Sequence, residues 1–371
     1  VNIFKSLFSS KQRGVGVELT SERINVAHIR KQGQKLKLET LASVDLPEGA
    51  FQEGQILDPP VVAEAIQSVM AESRLKVKYA TTGIPGRAIT RVIPVPSELD
   101  EAELRSMVLD QEASLYLPFP RDEADVDYQK LGFFVDEDGI EKVQVLLVAV
   151  RKEITDNYIE TFQQAGLNLN VLETTSFALI RTIREQLRQF TPQEAAAIVD
   201  IGFESTEISI VVDGIPHFSR TVPIGTFQIQ SALSRAMNLP PSRNTDLLQG
   251  MTVPTTPMDT VGSPQPITGT PGGGNPGTAA MLRVLGELAD ELRRSIDFYL
   301  NQGEDMEVAQ LLLAGPGGSI GQLDEFFAQR LSLPASQIDP ISALSLEVDE
   351  EVPMEHRPGL ATVIGFGLRE A

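Results

Sequence analysis

The chain has 371 residues, 31 basic and 51 acidic side chains, a net charge of −20 and no cysteine. That length points to about two domains, and the negative field excludes general binding to nucleic acid. Without Cys there is no disulfide framework, thiolate metal site or Cys nucleophile, and three scattered histidines (His28, His217, His356) argue against a His-based zinc site.

In chain order, Ile3, Phe4, Leu7 and Phe8 lie among Lys5, Lys11 and Arg13, a pattern that suits a short amphipathic anchor and equally a partner-binding stub. Residues 14–30 read as two strands, VGVEL and INVAHIR, flanking 20–23, and 35–45 alternate as a third. In the second of these strands His28 reads as structural. Residues 59–74 have helical spacing, and 79–84 form a short strand before Pro85-Gly86. From 87 the texture changes. Residues 88–95 are strand-like, and the acidic turn 98–103 opens a helix with Leu104, Val108 and Glu112 on successive turns. Residues 115–120 (LYLPFP) read as extended. Residues 128–135 and 141–150, joined through Asp138-Gly139, predict a hairpin, and 153–165 a helix stopped by Gly166. The block 87–170 thus has the make-up of a small α+β subdomain.

A helix over 177–190 precedes an apolar run (195–199) that ends in DIGFEST, residues 200–206. A buried strand that ends in Asp-x-Gly and resumes as a second strand presents backbone N–H groups and hydroxyls to an anion, and its carboxylate can hold a metal through water. The same pattern also closes ordinary hairpins. A further strand to 222 and a helix over 227–237 follow. The Pro/Gly/Thr-rich stretch, about 253–278, lacks apolar periodicity and is expected to be disordered. Residues 279–301 predict an amphipathic helix with its apolar face on Leu282, Leu285, Leu288, Leu292, Ile296 and Tyr299. A buried strand over 308–314 then runs into Gly315-Pro-Gly-Gly-Ser319 and a helix over 323–331. The acidic run 347–351 reads as a solvated loop, and 362–369 close the chain. No apolar run reaches the roughly 18–20 residues that span a bilayer, and no signal peptide is evident, so a soluble cytoplasmic protein is expected. Val1 reads as a literally translated alternative start codon of a complete chain.

Three loops suited to phosphate or nucleotide therefore follow one another: 18–22, 200–206 and 314–319. Glycines admit a ligand to the backbone, and a following helix N-terminus favours negative charge. This order resembles the actin-like ATPase superfamily. Within it the chain is similar to the PilM family of type IV pilus assembly proteins. The resemblance is carried by VGVELTSERINVAHI (15–29), GIPGRAITRVIPVP (83–96), LYLPFP with DYQKLG (115–132), VQVLLVAVRKE (143–153), VDIGFESTEISIV (199–211), ELADELRRSIDFY (287–299), LLLAGPGGSI (311–320) and IGFGLR (364–369).

The resemblance implies an α/β, actin-like two-domain ATPase fold, with halves at 1–185 and 186–371 and a small α+β subdomain inserted at about 87–170. It implies ATP and Mg2+ as ligands. The first phosphate loop would supply Glu18, Thr20, Ser21 and Asn25, and the second Asp200, Gly202, Ser205 and Thr206. Gly315, Gly317, Gly318 and Ser319 would meet adenosine, Arg293 and Arg294 would line the adenine side, and Asp200 would hold the metal through water. The first loop departs from the pattern: where relatives have Asp-x-Gly and then Lys, this chain has Glu18, Thr20 and Asn25, losing a glycine and a cation. Residues 244–249 (NTDLLQ) likewise stand where relatives contact nucleotide through an Ala-Glu pair and a downstream Lys. Binding is therefore expected more than turnover.

The implied partner is the cytoplasmic N-terminal tail of PilN, held in a groove near 83–95 and 132–150, with other pilus platform proteins and further copies of this chain as additional contacts at the inner-membrane face. Two other readings are a small-molecule kinase of the same superfamily, for which no motif nominates a general base, and an FtsA-like division tether, which predicts a C-terminal amphipathic helix after a linker.

Overall fold

The computed structural model describes residues 14–248, 250–254, 276–301 and 306–369. The expected anchor at 3–13 and nearly all of the Pro/Gly-rich stretch lie outside the described residues.

Two large sheets are built on one plan. In the first, Gly14–Leu19, Arg23–Gln32 and Lys35–Asp45 form an antiparallel meander, and the first strand pairs in parallel with Tyr79–Ile84, itself parallel to Asn168–Thr174. In the second, Glu194–Ile201, Thr206–Val212 and Ile215–Val222 form the meander, and the first strand pairs in parallel with Glu307–Ala314, which is followed by Ala335–Gln337. Each first strand is buried on both faces, hence the apolar runs at 15–19 and 195–199.

Helices cover both sheets. Pro59–Glu72 starts at Asp58, whose side chain accepts from the Val61 N–H, with Pro59 and Pro60 in the first turn where no backbone donor is required. It packs Val62, Ile66 and Val69 on the first sheet beside Ile154, Tyr158 and Phe162 of the helix Lys152–Gln164. Each fully buried aliphatic side chain contributes roughly 1.5–3 kcal/mol. The second sheet buries one face under Leu285, Leu288, Leu292 and Ile296 of Pro276–Leu300, and its other face under Leu179, Ile183 and Leu187.

A separate antiparallel sheet comprises Ile89–Pro96, Glu141–Arg151 and Ala124–Val135, with Leu104 and Val108 packed on Val143, Val145 and Leu147. Its strands span a shorter stretch than the 87–170 block, because residues 152–174 return to the first sheet. The helix beside it begins at Glu101, capped by an Asp100–Glu103 box, three residues later than its acidic run suggested. It widens to a π-turn over Met107–Glu112 and ends at Tyr116, so Leu115 and Tyr116 are helical and the extended segment starts at Leu117.

Residues 339–369 return to the first sheet. Glu347–Val348, read as a solvated loop, add a short strand parallel to Lys37–Leu38, with Lys37 paired to Asp349 at 2.8 Å. The helix Ala361–Arg369 packs Val363 and Ile364 on Ala27 and Ile29. Its contacts are backbone to backbone: a Cβ on Gly365 would collide with the Ala178 carbonyl, and one on Gly16 with the Gly367 amide. A buried ion pair seals this junction. Arg181 donates through Nη1 and Nη2 to Glu173 at 2.7 Å each, and through Nη1 to the Gly365 carbonyl at 2.8 Å.

Candidate functional site

The two meanders place equivalent turns face to face. Strand Gly14–Leu19 brings Glu18 opposite Asn25, whose Nδ2 donates to Glu18 Oε2 at 2.9 Å. Strand Glu194–Ile201 brings Asp200 opposite Glu207 in the same way. Asn25 and Glu207 thus occupy matching places, and the carboxyls of Glu18, Asp200 and Glu207 gather at the site. Burial pushes the Glu18 carboxyl up to about 7, against the opposing pull of the Asn25 hydrogen bond. Burial, then the fields of Glu18 and Glu207, push Asp200 up to about 8. Burial also raises Glu207, opposed by hydrogen bonds from Thr175, Ser219, the Gly86 N–H and Ser209. A carboxyl poised near neutrality can hold a proton or exchange it for a cation. Among the described residues no group of three or more His, Cys, Asp or Glu is arranged to ligate a metal.

A cleft of about 1280 Å³ separates the turns, lined from the first half by Ser21 and Gly86, from the second by Gly202 and Ser205, and closed off by Pro316 and His356. In the first loop, Thr20 Oγ1 donates to the Arg23 carbonyl at 2.8 Å and accepts from the Arg23 N–H at 3.0 Å. The hydroxyl closes the turn without a positive φ at Thr20, and Gly202 in the second loop has none either. Ser21 is buried, and its hydroxyl donates to Glu204 Oε2 at 2.6 Å.

In the second loop, Gly202 donates to the Ser205 carbonyl at 3.0 Å. The Gly202 and Phe203 carbonyls accept from the N–H groups of Thr226 and Phe227, the first turn of the helix Thr226–Ala236. That helix N-terminus therefore serves the loop itself. Thr206 is buried, and its hydroxyl donates to the Ile224 carbonyl at 2.7 Å.

The third loop stands behind Asp200. Gly315, at φ +76°, lies against Asp200 Oδ1 and the Ile201 carbonyl, and Gly317 against the Ile201 side chain. Gly318 faces Leu313, so packing against the sheet requires these glycines, and Pro316 is the residue that reaches the cleft wall. Ser319 is buried with its hydroxyl unpartnered. Arg293 and Arg294 are not brought to the cleft. Arg293 Nη2 donates to the Arg330 carbonyl, and Arg294 pairs with Glu291 on the exposed face of Pro276–Leu300.

Residues that sequence reasoning did not nominate make most of the contacts across the cleft. Glu204 Oε2 also accepts from the Glu53 N–H at 3.0 Å. Arg243 donates to the Ser21 carbonyl and to Glu48 Oε1, each at 3.0 Å, with its guanidinium 5.0 Å from the Phe203 ring centroid. Thr245 Oγ1 donates to Glu22 at 3.3 Å, and Thr175 Oγ1 to Glu207 at 2.9 Å. Glu204 and Glu207 stood within or beside the DIGFEST motif. Nothing in the local pattern marked Arg243.

Comparisons with known proteins agree on the fold. A family model described as type IV pilus assembly protein PilM matches residues 16–248. The PilM–PilN type IV pilus biogenesis complex contains a chain that superposes with TM-score 0.79 at 24% identity, covering 96% of this chain and 98% of that one. The ethanolamine utilization protein EutJ from Carboxydothermus hydrogenoformans gives 0.54 at 13% identity, covering 98% and 91%. The nucleotide-free diol dehydratase-reactivating factor gives 0.51 at 11% identity, covering 96% and 99%. The architecture is the actin-like ATPase fold. No helix among the described residues is long and apolar enough to cross a membrane.

Proposed function

The chain belongs to the PilM family of type IV pilus assembly proteins, and from that premise we propose that it is a nucleotide-binding scaffold at the cytoplasmic face of the inner-membrane pilus platform, where it holds the N-terminal tail of PilN. The observation that carries the nucleotide reading is the cleft between paired turns, with Ser21 on one wall and Ser205 on the other. ATP fits its size. The crowded carboxyls of Glu18, Asp200 and Glu207 would hold Mg2+, whose charge would relieve their mutual repulsion. Ser205 and the Gly202 backbone would meet the phosphates, and Pro316 the adenosine. With Asn25 in the place of a lysine, the reading is binding more than turnover.

The tail would lie along the inserted sheet, near 83–95 and 132–150. The strand Ala124–Val135 is an edge of that sheet, and Phe133, Val135 and Ile140 expose apolar surface beside it. An extended tail gains main-chain hydrogen bonds at such an edge and register from side-chain pockets. Closure of the cleft around ATP would change how this sheet is presented. Calorimetric titration with Mg-ATP and with a PilN-tail peptide, separately and together, tests the proposal. No peptide binding in either state overturns the partner. Peptide binding indifferent to ATP keeps the scaffold and removes the switch.

A further inference from the structure

The cleft carries its own anion. Glu204 Oε2 accepts from the Ser21 hydroxyl at 2.6 Å, a contact between residues 183 positions apart, and from the Glu53 N–H at 3.0 Å. A buried hydroxyl and a backbone N–H converging on one anionic oxygen are the donors a phosphate takes from a phosphate-binding turn. Two anions cannot share them.

The second donor belongs to an unusual turn. Glu53 sits at φ +46° and Gly54 at φ +78°, and a Cβ on Gly54 would run into the Pro85 carbonyl. Three neighbours hold this turn. Glu204 takes its N–H from across the cleft. Arg87 donates through Nε to the Glu53 carbonyl at 2.6 Å and through Nη2 to Glu53 Oε2 at 2.9 Å. The Tyr158 hydroxyl donates to the Gly54 carbonyl at 3.1 Å. Arg87 stands two residues before Ile89–Pro96, the strand by which the chain enters the inserted sheet. The Glu204 contact therefore joins the second half of the molecule to the root of the inserted sheet through a single strained turn.

We propose that Glu204 is an internal latch which occupies the Ser21–Glu53 donor pair in the ligand-free protein, competes with an anionic ligand for it, and reports its own displacement to the inserted sheet through Glu53 and Arg87. The part that concerns nucleotide rests on the function proposed above. The latch itself rests on the hydrogen bonds. A phosphate oxygen entering between Ser21 and Ser205 must expel the Glu204 carboxylate, and the 53–54 turn then loses its tie to the second half while keeping Arg87 and Tyr158. Arg243, which binds the Ser21 carbonyl and leans on Phe203 beside Glu204, keeps the two loops in register while the exchange takes place.

The test uses the full chain and two readouts, amide hydrogen exchange over residues 51–56 and 85–96, and calorimetric titration with Mg-ATP. Without ligand, Glu204→Ala is expected to speed exchange in both segments, and Ser21→Ala, which removes the other end of the same bond, to do so more weakly. Glu204→Ala is expected to bind Mg-ATP roughly tenfold more tightly, since a competing charge-assisted hydrogen bond no longer has to be broken. Unchanged exchange in both variants, or a weaker Kd in Glu204→Ala, overturns the latch. Faster exchange with no ATP binding in any variant keeps the latch and overturns the nucleotide reading, whereas equal ATP binding with unchanged exchange does the reverse.

Discussion

Asp200 and Gly315 are locked together: Oδ1 of the carboxyl lies so close to the glycine Cα that no side chain fits between them, and Gly315 holds φ at +76°. The end of one strand thereby fixes the start of the loop that follows its parallel neighbour. Gly315→Ala adds a collision with Asp200 and with the Ile201 carbonyl 2.6 Å from the new Cβ, on a backbone that alanine adopts with strain. A loss of about 2–4 kcal/mol is expected, read as a lower urea midpoint. Gly315→Ala in an Asp200→Ala background is expected to cost less, because one collision partner is gone. Equal costs in the two backgrounds would show that Asp200 does not constrain the loop.

Stability is expected to fall as pH rises from 5 to 8.5. The folded protein holds Glu18 up to about 7 and Asp200 up to about 8, against ordinary values of 4.5 and 3.8. The folded state therefore keeps protons that the unfolded chain has already released. Stability from these groups is full below the unfolded values and is lost as pH climbs through 7 and 8. With both side chains half-buried at the cleft, roughly 1–3 kcal/mol is expected across that window. Urea midpoints at pH 5 and 8.5 measure it, and Asp200→Asn should flatten most of the slope. A midpoint that rises with pH would contradict the assignment.

Breaking the Arg181–Glu173 pair from one side strands a buried charge. Arg181→Ala is expected to cost about 3–5 kcal/mol, with Glu173→Gln milder because it still accepts a hydrogen bond. The signature is loosening of the helix Ala361–Arg369, whose Gly365 carbonyl shares the guanidinium. Faster amide exchange confined to Thr175–Thr182, with that helix unaffected, would place the role of Arg181 within its own helix.

Substitution of Arg294 by Ala is expected to leave Mg-ATP binding unchanged within twofold and stability within about 0.5 kcal/mol, since an exposed i,i+3 pair contributes little. Arg293→Ala should spare binding too and cost stability through the Arg330 carbonyl it caps. Arg243→Ala, by contrast, removes contacts to Ser21, Glu48 and the Phe203 ring, and a changed ATP affinity is expected. Calorimetry on the three variants decides which arginine serves the cleft.

Local pattern made the meanders legible. Alternation and apolar runs mark the strands of both, and the face of Pro276–Leu300 follows from the spacing of its leucines. Glu18, Ser21, Asp200, Gly202 and Ser205 were legible as parts of cleft loops because the sequence of loops identified them together. Three features were not. Arg293 and Arg294 sit one helical step from the buried stripe, and only the packing of Leu323–Leu331 decides that they point away from the cleft. Thr206 has the chemistry of a phosphate ligand, yet its hydroxyl meets the Ile224 carbonyl, which the next strand of the same hairpin carries past it. Glu204, Arg243 and Thr245 act across the cleft, and no short window of sequence contains both ends of such a contact.

The helix Ala361–Arg369 also dates the completion of the first half. Gly16 and Gly367 meet backbone to backbone, so the first sheet to leave the ribosome exposes the face around Ala27 and Ile29 until the last helix has been made. At about 5–20 residues per second, that delay is on the order of 20–70 s. The face of the second sheet under Leu285 and Leu292, whose strands and covering helix all precede residue 338, closes earlier than the first sheet. The half synthesised first therefore keeps an open apolar face after one face of the second is covered, and a chaperone, or a neighbouring nascent chain, can reach it during that interval.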